Sequence, residues 1–275
     1  MPMAQPPYDQ LYIYELLGDA RPQAAGLGKG YLGLWLEGGT SFLFFSRPAT
    51  EEIAKILAAD RRLTLREHHH LTYEQWQGGI EFNPLEFEGL AVVPAWQEYT
   101  PRPGQKVIRL DPGLVFGSGL HPTTRHSLEL LLQRAELGPL GRVLDLGCGT
   151  GILALAAAVL GAESVLAVDL NPLCVSTTRR NAELNQLHVD VAEGPAHEYL
   201  GRPAELVLAN LHLEAHKDLW SQKDRLAGKK DLILSGLTRS QVGFLEDMLT
   251  MRGYRIHKRR QSESTWFSLW ACRPS

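Results

Sequence analysis

The stretch that decides the fold of this chain is Asp145-Leu-Gly-Cys-Gly-Thr-Gly151. It follows an apolar run, Arg142–Leu146, that is typical of a buried parallel strand, and it precedes a run rich in helix formers, Ile152–Val159. Glycine permits positive φ and lets a ligand approach the backbone closely where a strand turns into a helix. The stretch therefore predicts a loop that binds a nucleotide-like ligand.

A second signal is an acidic residue, Asp169, at the end of the next apolar run, residues 164–168. In doubly wound sheets an acid about 20 residues after the glycines accepts hydrogen bonds from ribose hydroxyls. Asn171-Pro172 then predicts a helix start, with a capping residue followed by proline. The spacing G-x-G-x-G, with Asp145 ahead of it, resembles the first motif of class I S-adenosylmethionine methyltransferases. An oxidoreductase with a nicotinamide cofactor remains an alternative that is weakened by this spacing, because dinucleotide loops carry G-x-G-x-x-G.

Strand-like and helix-like segments alternate through the second half of the chain. The fold class that we predict is α/β, a doubly wound Rossmann-like methyltransferase sheet with a smaller α+β N-terminal domain. The last two strands have no helix between them, which predicts an antiparallel hairpin at one edge. The predicted strands are 143–146, 164–168, 188–191, 205–209, 231–235, 254–258 and 266–271, and the predicted helices are 152–160, 172–185, 212–226 and 240–251.

The first part of the chain has the texture of an α+β domain, with strands at 11–16, 31–36, 41–45 and 63–66 and a helix at 50–59. A proline-bearing stretch, residues 94–104, is typical of a stiff linker. We expect a substrate-recognition domain at 1–95, a linker at 96–104 and the methyltransferase domain at 105–275.

Composition excludes several other classes of protein. The 275 residues are 44% hydrophobic and 21% charged, with a net charge of −3, which argues against binding to nucleic acid along the whole chain. No apolar run reaches membrane-spanning length, and the first residues lack a signal-peptide pattern. The three cysteines show no paired spacing. We expect a cytoplasmic protein without disulfides, membrane attachment or direct contact with nucleic acid.

A glycine-rich segment with a helix start at its end, Phe116-Gly-Ser-Gly-Leu-His-Pro-Thr-Thr124, lies directly before the nucleotide-binding fold. Such a segment is well placed to form a lid over a cofactor, although a tight structural loop accounts for it equally well.

These segments together resemble the PrmA family, whose members methylate ribosomal protein L11. The resemblance covers roughly residues 70 to 275. It is carried by Phe116–Thr124, by 144–154, by Val168-Asp169, by Ala209-Asn210-Leu211 and by Ser235-Gly-Leu237.

The resemblance implies S-adenosylmethionine as cofactor and a protein amine as methyl acceptor, on ribosomal protein L11. It implies that Phe116 and Thr124 contact the cofactor from the lid and that Asn210 offers its amide beside the transferred methyl, as catalytic and cofactor-binding residue. The cofactor-binding residues expected in the sheet are Asp145, Gly147, Gly149, Gly151 and Asp169.

Two features of the chain depart from the family pattern. Asn210-Leu-His-Leu replaces the usual Asn-Ile-Leu-Ala, which brings His212 near the acceptor. The amino-terminal domain is shortened, since residues 20–29 carry two glycines and Pro22 where relatives have a helix. Another protein lysine, a small amine, or a non-catalytic module that binds the cofactor therefore stay open as alternatives.

An amine acceptor must be neutral to attack the methyl group, and burial beside a cationic sulfonium lowers an amine pKa, so a strong base is not required. His121 and His212 are the candidate proton acceptors, each also explicable as a structural histidine. The missing Pro-Pro-Tyr element after Asn210 disfavours an amide or base nitrogen as acceptor. His68-His69-His70 lacks completing ligands, so we expect no metal.

Overall fold

A computed structural model describes residues 8–77, 82–221, 223–226, 228–262 and 265–274. Its contacts divide the chain into two compact units. The first comprises Met1–Phe82 with Asn171–Leu173, and the second comprises Asn83–Leu170 with Cys174–Ser275. The division by contacts thus falls at residue 82 and not at 95, and the expected domain boundaries stay a prediction about independent folding.

The first unit is an antiparallel sheet with three helices. Its four strands pair in the order β2-β3-β1-β4. The helix α2 has Glu51 and Glu52 in its first turn, where they complement the positive end of the helix dipole, and it buries Ile53 and Ile56 against the sheet. The elements are β1 (Gln10–Leu17), α1 (Arg21–Ala24), β2 (Tyr31–Glu37), β3 (Thr40–Phe45), α2 (Thr50–Ala59), β4 (Thr64–Thr72) and α3 (Tyr73–Trp76).

The second unit begins with a small three-stranded sheet, β5 (Leu85–Phe87), β6 (Leu90–Pro94) and β7 (Lys106–Leu110). Strand β6 is wholly buried and runs antiparallel to β5 and parallel to β7. The proline-bearing stretch therefore connects two paired strands of one sheet.

The main sheet of the second unit has seven strands in the order β10-β9-β8-β11-β12-β14-β13. Strands β8 to β12 are parallel, and β14 runs antiparallel to both β12 and β13. Its strands are β8 (Arg142–Leu146), β9 (Ser164–Asp169), β10 (Asp190–Glu193), β11 (Leu206–Asn210), β12 (Asp231–Thr238), β13 (Arg255–Ser262) and β14 (Trp266–Cys272).

Helices connect these strands and bury their apolar faces against the sheet. They are α4 (Pro122–Glu136), α5 (Ile152–Val159), α6 (Pro172–Leu184), α7 (Ala196–Tyr199), α8 (Leu213–Trp220), a 3-10 helix (Lys223–Leu226) and α9 (Arg239–Met251). The chain runs from β8 outward to β10 and then returns to the other side of β8 as β11. In an open α/β sheet this reversal leaves a crevice at the carboxyl ends of the strands, where ligands bind.

The predicted fold class is confirmed, as is the antiparallel hairpin at the sheet edge. The predicted helix over 212–226 is shorter, because α8 ends at Trp220 and a separate 3-10 helix follows. The short helices α1, α3 and α7 were not predicted. In the described part of the chain, no helix is both long and apolar enough to cross a bilayer. All three cysteines are free thiols.

Candidate functional site

The glycine loop connects β8 to α5 and takes a backbone path that side chains rarely allow. Gly147, Gly149 and Gly151 have φ of 77°, 56° and 82°. A Cβ on Gly149 would lie 2.4 Å from the carbonyl oxygen of Phe116, a backbone atom that cannot rotate away. The loop is tied to β9 because the amides of Gly147 and Cys148 both donate to the carbonyl oxygen of Val168, over 2.8 and 3.0 Å. Glycine is therefore required here to bring three chain segments together.

Asp145, the last residue but one of β8, has a buried carboxylate oxygen without a hydrogen-bond partner among the described residues. The residue is 1% exposed. Its Oδ2 accepts a bond from the amide of Ala154 at 3.0 Å, whereas its Oδ1 is buried without a hydrogen-bond partner in the described structure. Burial raises the pKa of this carboxyl from its ordinary 3.8 to about 7, with the Ala154 bond opposing the rise and the charge of Asp169 adding to it. An orphaned buried carboxylate oxygen suits a ligand that brings a positive charge or a donor.

Asp169 ends β9, as the sequence predicts, and its carboxylate reaches the glycine loop. Its Oδ2 accepts a hydrogen bond from the amide of Gly149 at 2.9 Å. The loop and the acid, twenty residues apart in sequence, are therefore parts of one site.

The predicted lid is anchored to the glycine loop through its backbone. The amide of Thr150 donates to the carbonyl oxygen of Phe116 at 3.1 Å, and the Thr150 hydroxyl donates to that of Gly117 at 2.7 Å. The Phe116 ring itself is 55% exposed and lies 5.5 Å from the ring of His121. An exposed aromatic ring beside a glycine loop offers a face that can cover a flat ligand. Sequence analysis did not single out Thr150, although it holds the two loops together.

Asn210 ends β11, next to β8 in the sheet. Its amide Nδ2 donates to Oγ1 of Thr124 at 3.3 Å, so the structure brings together the two residues expected at the acceptor side. The following turn depends on Gly236, whose φ is 90° and where a Cβ would lie 2.2 Å from the carbonyl oxygen of Leu211. Gly236 belongs to the quoted Ser235-Gly-Leu237 segment, but its role in holding the Asn210 turn follows only from the three-dimensional contact.

His121 and His212 both cap helices. Nδ1 of His121 accepts from the amide of Thr123 at 3.3 Å, and Nδ1 of His212 accepts from that of Ala215 at 3.2 Å. A neutral imidazole that accepts at Nδ1 carries its proton on Nε2 and has no lone pair there. Burial also lowers the pKa of His121. Of the two interpretations that the sequence leaves open, the structure favours the structural one for both histidines.

The His68-His69-His70 tract lies on β4. His68 and His70 stack on two tyrosines at 6.1 and 4.3 Å between ring centroids, while Nε2 of His69 lies 3.6 Å from the carboxylate of Glu67. Glu15, Glu67 and His69 bring one potential ligand atom each within 4.8 Å of one another, the one such group in the described ranges. Glu15 is paired with Arg66 at 3.1 Å. The absence of a metal stays a prediction.

A mainly parallel sheet with a reversal at β8, a glycine loop after that strand and an acid at the end of β9 together define a Rossmann-like domain whose loop has the spacing of class I methyltransferases.

Comparison with known proteins gives the family. Residues 47–274 match the family model described as ribosomal protein L11 methyltransferase (PrmA). A ribosomal protein L11 methyltransferase of Oceanobacillus iheyensis is 34% identical over 223 residues, covering 78% of this chain and 68% of that protein. One from Parasynechococcus marenigrum is 40% identical over 188 residues, covering 65% and 64%.

A solved structure agrees with these relatives. The ribosomal protein L11 methylase of Lactobacillus delbrueckii subsp. bulgaricus superposes with a TM-score of 0.63 and 33% identity, covering 70% of this chain and 100% of that chain. The chain spans about two thirds of the length of the curated relatives that it matches. The chain belongs to the ribosomal protein L11 methyltransferase (PrmA) family, and with it to the S-adenosylmethionine-dependent methyltransferases. This excludes the nicotinamide alternative.

Proposed function

We propose that this chain transfers methyl groups from S-adenosylmethionine to amines of ribosomal protein L11, a lysine side chain or the amino terminus. The observation that carries the proposal is the match of residues 47–274 to the family model, since it includes the whole glycine loop, the lid segment and Asn210. The reaction would take place in the cytoplasm, where ribosomal proteins are made.

The residues at the crevice fit the cofactor. The cationic groups of S-adenosylmethionine match the unsatisfied, buried Oδ1 of Asp145. The backbone of Gly147, Gly149 and Gly151 would pass under the methionine portion, because glycine lets a ligand approach the backbone closely. In this proposal Asp169 holds the ribose hydroxyls, as acidic residues at the corresponding place do in doubly wound folds.

Phe116 and Thr124 would approach the cofactor from the lid side. The exposed Phe116 ring supplies an apolar cover, and the buried Thr124 hydroxyl accepts the Asn210 bond and so orients that amide. Asn210 would touch both the cofactor and the incoming amine, as the catalytic residue of the site.

Bound cofactor supplies an electrophilic methyl group, so the protein contributes orientation and exclusion of water. A lysine ammonium with a pKa of ~10.4 is nearly all charged at neutral pH, and a buried position near positive charge lowers that value. The two nearby histidines are engaged as helix caps, so in this proposal the ammonium gives its proton to water before it attacks, and no protein base takes part. Asn210 instead accepts a hydrogen bond from the amine through its carbonyl oxygen and directs the lone pair.

The experiment combines purified chain, isotopically labelled S-adenosylmethionine and purified L11, with the mass of L11 as readout. We expect a mass gain in multiples of one methyl group. Asn210→Ala should lower kcat more than it weakens cofactor binding, because a group that orients the acceptor acts mainly in the transition state. If another lysine-bearing protein or a small amine is labelled and L11 is not, the proposed acceptor is wrong and the proposed methyl transfer stands. Cofactor binding without transfer to any amine would leave a binding module.

A further inference from the structure

A row of polar side chains crosses the second unit beneath the lid, and the proposed reaction does not use it. His126 on α4, Ser235 on β12 and Ser268 on β14 are 6%, 0% and 0% exposed. Nε2 of His126 lies 2.8 Å from Oγ of Ser262, and Nδ1 lies 3.3 Å from Oγ of Ser268. The Ser268 hydroxyl lies 2.5 Å from that of Ser235, which in turn lies 3.2 Å from the carbonyl oxygen of Thr123. Four hydrogen bonds thus join one edge of the sheet to the first turn of α4.

The directions of three of the four bonds in this row follow from its last acceptor. A carbonyl oxygen only accepts, so the Ser235 hydroxyl donates to Thr123. The bond between the two serines must then be donated by Ser268. With its single proton used, the Ser268 oxygen accepts from His126, which places the imidazole proton on Nδ1. The Ser262 hydroxyl can donate or accept, and Nε2 accepts its proton because burial, which lowers the pKa of His126, favours the neutral ring.

This assignment makes His126 a neutral imidazole, protonated at Nδ1. Burial lowers the pKa of His126, in agreement with a neutral ring. The row ends on an amide carbonyl, which does not take up a proton, so it is not a path for the proton that the acceptor amine releases. Its use is mechanical, since each bond sets the position of the next group.

Two residues of the row, Thr123 and Ser235, lie next to segments that hold Asn210, the proposed catalytic residue. Thr123 precedes Thr124, whose hydroxyl holds the Asn210 amide. The carbonyl oxygen of Ser235 also accepts from the amide of Leu211, directly after Asn210, at 3.1 Å. Ser235 therefore contacts both segments that locate the Asn210 carboxamide.

We propose that His126 is a positioning residue for methyl transfer: its Nδ1–H donates to Ser268 and, through Ser235, holds the first turn of α4 and the Asn210 carboxamide in place. The proposal rests on the proposed function insofar as Asn210 orients the acceptor. A misplacement of a reacting group by about 1 Å can cost on the order of a hundredfold in rate, so a modest shift here is measurable.

The kinetic test compares three substitutions of His126. The side-chain nitrogen of asparagine lies about where Nδ1 does and can donate to Ser268, whereas glutamine places its amide near the Nε2 position and leucine has no donor. His126→Asn should retain kcat within about threefold, while His126→Gln and His126→Leu should lower it about tenfold or more. In all three the calorimetric Kd for S-adenosylmethionine should change by less than kcat does, because Asp145, Asp169 and the glycine loop lie outside the row and only Thr124 and Asn210 adjoin it.

The matched control is His188→Asn, at a side chain that is 93% exposed and outside the row, with kcat unchanged. Equal kcat losses in His126→Asn and His126→Leu would contradict the proposal, since a residue that only fills space would not be rescued by a donor at one position. Cofactor affinity that falls in parallel with kcat would contradict it as well.

A spectroscopic test does not depend on the methyl acceptor. Nitrogen-15 NMR of the full chain should give His126 a protonated Nδ1 and an unprotonated Nε2, assigned by the loss of this signal in His126→Asn. The side-chain amide resonance of Asn210 should move in His126→Leu and stay in His126→Asn. A protein that leaves L11 unmethylated but gives these NMR results would contradict the proposed acceptor and support the positioning role. A proton on Nε2, or an Asn210 amide indifferent to all three variants, would overturn the positioning role itself.

Discussion

Replacing Asp145 with asparagine tests two effects of this buried carboxylate separately: its cost to the stability of the cofactor-free protein and its proposed contribution to cofactor binding. Asparagine keeps an oxygen that can accept the bond from the Ala154 amide, and it removes the charge whose second oxygen is unsatisfied. We expect Asp145→Asn to make the cofactor-free protein less sensitive to pH. We also expect it to bind S-adenosylmethionine at least about tenfold more weakly, since hydrogen bonds to a charged group contribute ~1.5–3 kcal/mol.

The size of the stability effect follows from the raised pKa. The value is about 7 in the folded state against an ordinary 3.8, mainly because the group is buried. A folded-state pKa above the unfolded one stabilises the protein fully below the unfolded value, and this contribution is lost as pH rises through about 7. At ~1.36 kcal/mol per pKa unit the whole loss is about 4 kcal/mol, of which about 2.5 kcal/mol falls between roughly pH 5 and pH 8.

The assay is urea unfolding of cofactor-free wild type and variant at about pH 5 and about pH 8, where free energies follow from the linear dependence on denaturant. The difference between variant and wild type should shift in favour of the variant by about 2.5 kcal/mol at the higher pH. Constant effects of the substitution cancel in this comparison. The exposed Asp247→Asn on α9 serves as control, and its difference from wild type should not shift in favour of the variant at the higher pH. A variant whose stability follows pH as wild type does would refute the account of Asp145 as an unsatisfied buried acid.

Three further changes test other parts of the account. Asp169→Ala should weaken S-adenosylmethionine binding by roughly tenfold to over a hundredfold, from ~1.5–3 kcal/mol of lost ribose bonds. Unchanged calorimetric affinity would contradict the assignment of Asp169 to the ribose. Gly236→Ala should lower the free energy of unfolding by about 1–3 kcal/mol and reduce kcat, because the added Cβ would meet a backbone carbonyl. Its control is Gly243→Ala on helix α9, where the added Cβ would have no neighbouring atom within 4 Å, so the protein should be equally stable or more stable. A fragment that begins at Asn83 should fold and bind cofactor but lose methyl transfer to a protein acceptor. A fragment that begins at Gly104 should be unstable, because it lacks strands β5 and β6. Equal solubility and cofactor affinity of the two fragments would count against the unit boundary at residue 82.

The sheet of the second unit could be read from the sequence because its signals are local. Apolar runs that end at Leu146, Asp169 and Asn210 mark strand ends, and alternating glycines mark the strand-to-helix turn. The hairpin at the edge followed from the missing helix between two strands. Parallel pairing then followed from the alternation of strands and helices.

The domain boundary was harder to predict, since prolines indicate a turn and not what the turn connects. The stretch between Pro94 and Gly104 lies between two strands that pair with each other, a fact that only the parallel β6–β7 ladder reveals. The helices α1, α3 and α7 have four residues each, too few to show a helical period.

Part of the candidate site could not be predicted from the sequence, because it depends on contacts between residues that are far apart along the chain. The glycines and Asp169 are recognisable because their spacing carries the geometry. The hydrogen bond between Ser268 and His126 joins residues that are 142 positions apart, and no sequence motif predicts it. Histidine is not among the preferred helix-capping residues, so the caps formed by His121 and His212 could not be expected from their sequence positions.

The central claim, methylation of ribosomal protein L11, is tested most directly by the intact mass of L11 from cells with and without this gene. The account predicts that L11 loses mass in multiples of one methyl group on deletion and regains it when the wild-type gene returns. Cells that receive Asn210→Ala instead should regain less. An L11 mass that is identical in both strains would contradict the claim.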